Sequence, residues 1–232
     1  WPNPPWSTIL FRRLLTNAEF RNQFIQIYAY QMNTTFEPER ILHKLDYFKA
    51  NIEDEMPRHI ERWGGKRDAD TREGWIPPAV ESMDAWRNFV NQIRFFAFNR
   101  PEVAANHMKS HFNIDGMSTM SLGWNNADYG DVYLYNKNIT EGTSSGRYFN
   151  DIPIKLTAVP KDRHVFSHWV EIKNGIETTY NDSIITVSFH NDVEYRAHFA
   201  KSTDIRMSSD NLPTVVSLNQ NFPNPFNPTT TI

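Results

Sequence analysis

Apolar residues recur every three or four positions between Ser7 and about Phe112. That interval is typical of helices that bury one face. The pattern predicts about five helices, and Ser7 or Thr8 is placed to cap the first of them. The predicted buried stripes contain Ile9, Leu10, Leu14 and Leu15; Phe20, Phe24, Ile27, Tyr28 and Met32; Ile41, Leu42, Leu45, Phe48 and Ile52; Ile60 and Trp63; and Val80, Met83, Trp86, Val90, Ile93 and Phe96–Phe98.

Prolines and glycines divide this helical half. Pro38 fits the first turn of a helix, where proline is tolerated, whereas Pro57 should kink or break the helix in which it lies. Gly64–Gly65 is expected to stop that segment. Asn99, followed by Pro101, predicts the start of a fresh helix.

Beyond Asp115 the apolar period changes to two, which is typical of half-buried strands. Turn-forming residues separate the alternating segments at Gly130–Asp131, Gly142–Gly146, Asn174–Gly175 and His190–Asp192. The strand positions predicted to face the core are Val132, Leu134, Ile154, Leu156, Ala158, Ile185, Val187, Phe189, Tyr195, Ala197 and Phe199.

These two periods predict a multidomain α+β protein. An all-α helical subdomain over residues 1–115 would be followed by a small all-β domain over residues 116–201. Residues 202–232 are rich in Ser, Thr, Asn and Pro, which predicts a linker and an extended tail that is poorly ordered beyond about Lys201.

Composition narrows the classes of function. The net charge of −3 lacks the basic excess that binding to a nucleic-acid backbone needs. The absence of cysteine excludes disulfides, Cys-ligated zinc and thiol nucleophiles. No apolar run approaches the roughly 20 residues that span a bilayer. We therefore predict no nucleic-acid partner and no transmembrane segment.

Two strings of the helical half have some features of metal sites. His107 and His111 are four positions apart, a spacing compatible with zinc, but Met108 stands where a metalloprotease motif requires Glu. We interpret the pair as favourable charge near a helix C-terminus. Asp68–Arg72 begins like a calcium loop, but its fifth position is Arg and Gly74 comes one residue late. We interpret that string as a solvated loop.

Two further strings are interpreted in structural terms. The carboxylates of Glu53–Glu55 would point in different directions from a helix, which predicts a charged solvent face. In MPRHIERWG, His59 and Arg62 beside Trp63 indicate packing and helix termination. The chain has no Gly-rich phosphate loop, no nucleophile elbow and no motif that positions a pair of acids. The sequence therefore predicts no catalytic, cofactor-binding or metal residue.

Three spaced strings of the helical half resemble the C-terminal part of the CotH kinase family, over roughly residues 1–113: STILFRRLLTNAEFRNQFIQIYAYQMNTTFEPERILHKLD, EMPRHIERWG and FNRPEVAANHMKSHF. The resemblance implies an atypical, secreted or spore-coat protein kinase that uses ATP and a divalent metal such as Mg²⁺ to phosphorylate Ser/Thr hydroxyls. In that family the nucleotide- and metal-binding motifs lie upstream of the stretch aligned with Trp1–Pro2, so no family site residue is carried over. We expect this chain to be a fragment that does not bind ATP alone.

The β half and the tail carry two other resemblances. IPIKLTAVPKDRHVFSHW and SIITVSFHNDVEYRAHFA resemble a divergent InlB-type bacterial repeat, with Arg163 and His164 where that family usually has Gly-Tyr. Phe166 and Trp169 are retained, and we predict that both are core aromatics. Such repeats imply a spacer or an adhesive stalk. LNQNFPNPFNPTTTI resembles the opening of the C-terminal sorting domain recognised by type IX secretion.

The combined hypothesis is the C-terminal fragment of a secreted or cell-surface CotH-like kinase, exported by a Gram-negative bacterium. The implied partners are the type IX secretion machinery and, for the parent protein, a protein phosphoacceptor. A non-catalytic surface adhesin or scaffold with a β-repeat stalk is the alternative. A third interpretation is polysaccharide binding on Trp124 or Trp169, which requires an exposed tryptophan.

Overall fold

The computed structural model describes residues 6–64, 80–139 and 145–202, and within these ranges helices precede strands. The fold class is therefore α+β, as the change of apolar period predicts. The helices are α1 (Ile9–Leu14), α2 (Ala18–Asn33), α3 (Pro38–Ile52), α4 (Met56–Trp63) and α5 (Met83–Phe112), with a 3₁₀ turn over Glu53–Glu55 between α3 and α4.

Side chains cap three of the helices at their first turns, and at the start of α5 the Ser82 Oγ accepts a hydrogen bond from the Ala85 amide at 3.0 Å. The Asn17 side chain accepts a hydrogen bond from the Phe20 amide at 2.9 Å and begins α2. The Glu37 carboxylate accepts from the Arg40 amide at 2.8 Å and begins α3. Thr8 occupies the N-cap position of α1, but its side chain makes no capping hydrogen bond. Of the two predicted caps, Ser7 or Thr8, the Thr8 alternative is therefore wrong.

Pro57 and Pro101 affect the helices differently. Pro57 lies in the first turn of α4, after the 3₁₀ turn, so the predicted break is confirmed. Pro101 lies inside α5, which continues to Phe112, so the predicted fresh helix start at Asn99 is wrong. Proline removes one backbone hydrogen bond, but Ala97 and Ala104 on either side of it are buried, and this packing maintains the helix.

The buried face of α2 differs from the predicted stripe. Ile25, Gln26 and Ala29 are buried, whereas the predicted residues Phe24 and Tyr28 are only partly buried at the edge of the same core. A polar residue therefore occupies the centre of the face, and an apolar pattern cannot reveal it.

The β half consists of two sheets. Its strands are β1 (Met117–Trp124), β2 (Gly130–Leu134), β3 (Lys137–Asn138), β4 (Ser145–Phe149), β5 (Ile154–Pro160), β6 (His164–Lys173), β7 (Ile176–Tyr180), β8 (Ile184–Val187) and β9 (Val193–Lys201). One sheet has the order β4-β1-β9-β6-β7 and the other β3-β2-β5-β8. The β1–β9 pair is parallel, and the other pairs between the described strands are antiparallel.

The inward faces of both sheets share one core, which α2 and α5 extend. The alternation predicted for β2, β5, β8 and β9 is confirmed, and Trp169 and Tyr195 are fully buried in this core. Ile25 and Ala29 of α2 and Met108 of α5 belong to the same cluster. A smaller cluster around Met56, Trp86 and Val90 joins α3, α4 and α5.

Glutamine and asparagine side chains of α2 bind the backbone of β4, the edge strand of the five-stranded sheet. The Gln26 Nε2 donates to the carbonyl oxygens of Phe149 at 2.9 Å and of Ile152, just beyond β4, at 2.8 Å. The Phe149 amide donates to the Gln26 Oε1 at 3.1 Å. Two helical turns on, Asn33 Nδ2 donates to the Arg147 carbonyl at 2.9 Å and Oδ1 accepts from the Arg147 amide at 3.1 Å. These bonds replace those of a neighbouring strand, and we call this contact the α2–β4 seam.

The close approach at this seam explains Gly146. A Cβ atom at that position would lie 2.5 Å from the Asn33 side chain. Gly146, predicted as part of a turn, is therefore a strand residue where a helix lies close to the backbone.

Turn geometry agrees with the sequence between β6 and β7. Asn174 and Gly175 both have positive φ, 52° and 76°, as a two-residue hairpin turn requires, so this predicted turn is confirmed. Arg163, in the turn before β6, also has a positive φ of 65°.

Two predictions about the organisation of the chain, the nature of its tail and its division into domains, are not tested by the structure. Residues 203–232, with the predicted tail and sorting motif, lie outside the described residues. The assignment of 1–115, 116–201 and 202–232 as separate domains stays a prediction. No helix in the described ranges is both long enough and apolar enough to cross a membrane.

Candidate functional site

The helical half exposes many large apolar side chains. Helices α1 and α3 bury no residue fully, although both carry predicted apolar stripes. On α5, Phe95 is 72% and Phe98 65% exposed. We call the exposed apolar residues of this helix the α5 apolar surface: Ile93, Phe95, Phe96, Phe98 and Val103. Exposed apolar residues in such number are typical of interaction surfaces.

A groove lies where α2, α3 and α5 meet. It encloses about 370 Å³. Its lining is mostly apolar, with the guanidinium of Arg100 as its one charged group: Tyr28, Gln31, Met32, Phe36, Ile41, Phe96, Ala97, Arg100, Pro101 and Ala104. Phe96 belongs both to the groove and to the α5 apolar surface, so the two features adjoin.

Three ionisable side chains from three separate connections converge beside the end of α5. Asp115 follows that helix, Asp151 lies between β4 and β5, and His190 lies between β8 and β9. The His190 Nδ1 is 2.8 Å from an Asp151 carboxylate oxygen, and its Nε2 is 3.7 Å from one of Asp115. We call this group the three-loop cluster.

Electrostatics in the three-loop cluster follow from its two negative charges. The hydrogen bond to Asp151, and then the charge of Asp115, raise the pKa of His190 above its ordinary value. Lys173 opposes this rise in pKa. All three members are more than half exposed, so solutes can reach them.

Residues 1–104 match the family model of the CotH kinase protein. This CotH-matching segment contains α1–α4 and most of α5, and it ends before the β half. No curated protein and no solved structure matches the chain. The resemblances of the β half and the tail therefore stay predictions.

Within the CotH-matching segment, the acidic string Glu53–Glu55 forms the 3₁₀ turn. Glu53 pairs with Lys49 at 2.7 Å, and Glu55 lies 3.4 Å from Arg58. These carboxylates therefore have basic partners on neighbouring turns of the helices. Asp68–Arg72, the string that begins like a calcium loop, lies outside the described residues.

The string around His59 lies at the end of α4. The Arg62 guanidinium lies 5.0 Å from the ring centre of Trp63, and the ring is 56% exposed. His59 is also exposed. The predicted helix end is confirmed, because Gly64 follows as the C-cap residue. The prediction that Trp63 lies in a buried stripe is wrong.

His107 and His111 lie beyond the CotH-matching segment, near the end of α5, and both are exposed. The His111 ring packs edge-on against Phe112 with ring centres 4.7 Å apart. Within the described residues, the one group of three or more ligand-type side chains close enough to share a metal ion is the three-loop cluster, which does not include this pair.

The tryptophans of the β half are unsuited to stacking on a sugar. Trp169 is fully buried, as predicted for a core aromatic, and Trp124 is half-buried against the same core. The interpretation that uses an exposed tryptophan is therefore wrong for Trp169 and receives no support from Trp124.

Sequence reasoning missed the three-loop cluster entirely. The sequence indicates His190 only as part of a turn, and Asp115 and Asp151 stand in no motif with it. Only the fold brings these residues together, so no local spacing could have indicated them. The prediction that the chain has no catalytic, cofactor or metal residue of its own stays a prediction.

Proposed function

We propose that this chain is the C-terminal part of a secreted or cell-surface CotH-type protein kinase. In the full-length protein, ATP and Mg²⁺ would serve to phosphorylate Ser or Thr hydroxyls. The observation that carries this proposal is the match of residues 1–104 to the CotH kinase family model.

The exposed apolar residues of the helical half suit this role. Burial of apolar surface stabilises a protein by about 25 cal/mol per Å². The α5 apolar surface would gain this stabilisation by packing against the remainder of a kinase domain. The helices of this chain would then support the catalytic part from behind.

A kinase needs a nucleotide site, and the residues of this chain do not provide the usual parts of one. The reaction depends on groups that hold the phosphates and on metal ions that neutralise their charge. The sequence has no Gly-rich phosphate loop, and two carboxylates of its acidic string, Glu53 and Glu55, are paired with basic residues. We therefore expect the nucleotide site to lie in the remainder of the full-length protein.

For the β half we propose a spacer related to InlB-type repeats. That family usually has glycine where this chain has Arg163, and Arg163 has the positive φ that glycine adopts most easily. Phe166 packs beside Trp169 with ring centres 6.1 Å apart. For the tail we propose recognition by type IX secretion, on the resemblance of LNQNFPNPFNPTTTI alone.

The first test measures kinase activity. The full-length protein is incubated with radiolabelled ATP, Mg²⁺ and a Ser-rich acceptor protein, and transfer of label is expected. In parallel, calorimetry of this chain with Mg-ATP should show no binding. Binding of a glycan or peptide without any transfer would instead favour the adhesin or scaffold.

The second test examines the α5 apolar surface. The double substitution Phe95→Ser and Phe98→Ser should change the unfolding free energy of this chain by less than about 0.5 kcal/mol, because both rings are exposed. The same change should destabilise the full-length protein by more than about 2 kcal/mol if a catalytic part covers these rings. Equal small effects in both proteins would contradict the proposed packing.

A further inference from the structure

We propose that the three-loop cluster binds a divalent transition-metal ion. His190 Nε2 and the Asp115 carboxylate would be the ligands, and Asp151 would position the His190 ring. This site lies outside the CotH-matching segment and does not depend on kinase activity.

The distance between the two proposed ligand atoms suits one shared ion. Zinc binds histidine nitrogen and carboxylate oxygen at about 2.0–2.2 Å, so two such atoms on one ion lie at most about 4.3 Å apart. The Nε2 of His190 and the carboxylate oxygen of Asp115 are 3.7 Å apart. An ion between them therefore needs almost no movement of either side chain.

Asp151 gives the histidine the form that binds a metal. Its carboxylate oxygen lies 2.8 Å from Nδ1 of His190 and can accept a hydrogen bond from Nδ1–H. The lone pair of a neutral ring is then on Nε2, which faces Asp115. A carboxylate that holds the far nitrogen of a metal-binding histidine is a common arrangement in metal sites.

Hydrogen bonds outside the cluster hold the three connections together. The Asn150 amide donates to the Gly116 carbonyl at 3.0 Å, and the Asp151 amide donates to the Phe189 carbonyl at 2.9 Å. Ser118 Oγ donates to the His190 carbonyl at 2.7 Å. The backbones that carry the ligands are thus fixed before any ion binds.

The chemistry of the ligands indicates which ions would bind. An imidazole nitrogen favours Zn²⁺, Cu²⁺, Ni²⁺ or Fe²⁺ over Mg²⁺ and Ca²⁺, which prefer oxygen ligands. All three side chains are exposed, so water can complete the coordination. Binding would connect the end of α5 to the β8–β9 connection.

The test is calorimetric titration of the full chain with ZnCl₂, with MgCl₂ as the control ion. We expect one zinc site per chain and no heat from magnesium. His190→Ala should abolish zinc binding and Asp115→Asn should weaken it at least tenfold. Asp151→Asn should weaken binding about 10–100-fold, because it loosens the ring without removing a ligand.

A matched control uses the other pair of histidines. The double substitution His107→Ala and His111→Ala should leave zinc affinity unchanged. Zinc should raise the melting temperature of the wild-type chain but not that of His190→Ala. Melting curves of each variant in EDTA check that it folds without metal. Asp151→Asn should fold normally, because asparagine tolerates the positive φ of 57° at that position.

Two results would overturn the proposal. One is the absence of zinc binding by the wild-type chain at submillimolar concentration, which would make the three-loop cluster an ion-pair network only. The other is zinc binding that survives His190→Ala and is lost on replacement of His107 and His111.

Discussion

The β half and the helical half differ in how completely they bury their largest apolar side chains. The sheets enclose Trp169, Tyr195 and Phe149 completely. The helices leave Phe95 and Phe98 largely exposed, and α1 and α3 bury no residue fully. An apolar stripe therefore predicts that a helix has a face to cover, but it does not identify what covers that face.

The test with the largest expected effect compares two tryptophans, one in each half. Trp169→Ala should destabilise the chain by about 3–5 kcal/mol, because it leaves a large cavity in the shared core. Trp63→Ala should cost less than about 1 kcal/mol, because the ring is 56% exposed and lies under the Arg62 guanidinium at the surface. Urea denaturation measures both values. Similar losses at the two positions would contradict the contrast.

The second test compares the two amide side chains of the α2–β4 seam. Gln26→Leu should cost about 2–3 kcal/mol, because the fully buried Phe149 amide and carbonyl lose their partner. Asn33→Leu should cost about 1 kcal/mol, because its bonds to Arg147 are exposed and water can replace them. Both values come from urea denaturation. If Asn33→Leu costs as much stability as Gln26→Leu, solvent exposure does not determine how much each hydrogen bond of the seam contributes.

The third test changes backbone conformation in the β half. Arg163→Gly should stabilise the chain by about 0.5–1 kcal/mol, because glycine adopts a positive φ without the cost that other residues incur. Gly175→Ala should have the opposite effect, a loss of about 1 kcal/mol, because alanine is strained at a φ of 76°. No atom lies within 4 Å of the added methyl group, so no new contact offsets this strain. Thermal unfolding measures both. A loss of stability in Arg163→Gly would indicate that the arginine side chain makes a larger contribution than the strain.

The smallest expected effect concerns pH. The pKa of His198 is lowered below its ordinary value, mainly by partial burial. His168, whose ring stacks on that of His198 with ring centres 4.6 Å apart, lowers it further, and so does Arg196. The unfolded chain therefore takes up a proton at higher pH than the folded chain, and His198 should reduce stability as pH falls below about 6.5. Wild type should lose stability relative to His198→Gln between pH 7.5 and 5, measured by urea denaturation. A constant difference between the two proteins would contradict this.

The sequence predicts the fold class well because local pattern determines it. Alternation places Val132, Leu156 and Tyr195 in the core correctly. For two of the strands that the alternation missed, β6 and β7, the reason is local. In β6 an irregularity between Phe166 and His168 shifts the alternation, and β7 is an exposed edge strand in which one face is not clearly apolar.

Other features depend on tertiary contacts, which no local pattern contains. The continuity of α5 through Pro101 requires packing on both sides of the proline. The buried Gln26 requires an edge strand more than a hundred residues later in the chain. Asp115, Asp151 and His190 lie far apart in the sequence and come together only in the folded structure.

The α2–β4 seam has a consequence for synthesis of the protein. An uncovered edge strand can pair with another chain and start aggregation. The helix that covers this edge precedes it by more than a hundred residues, so it leaves the ribosome first. When β4 emerges, the partner for its free edge has therefore already been synthesised in the same chain.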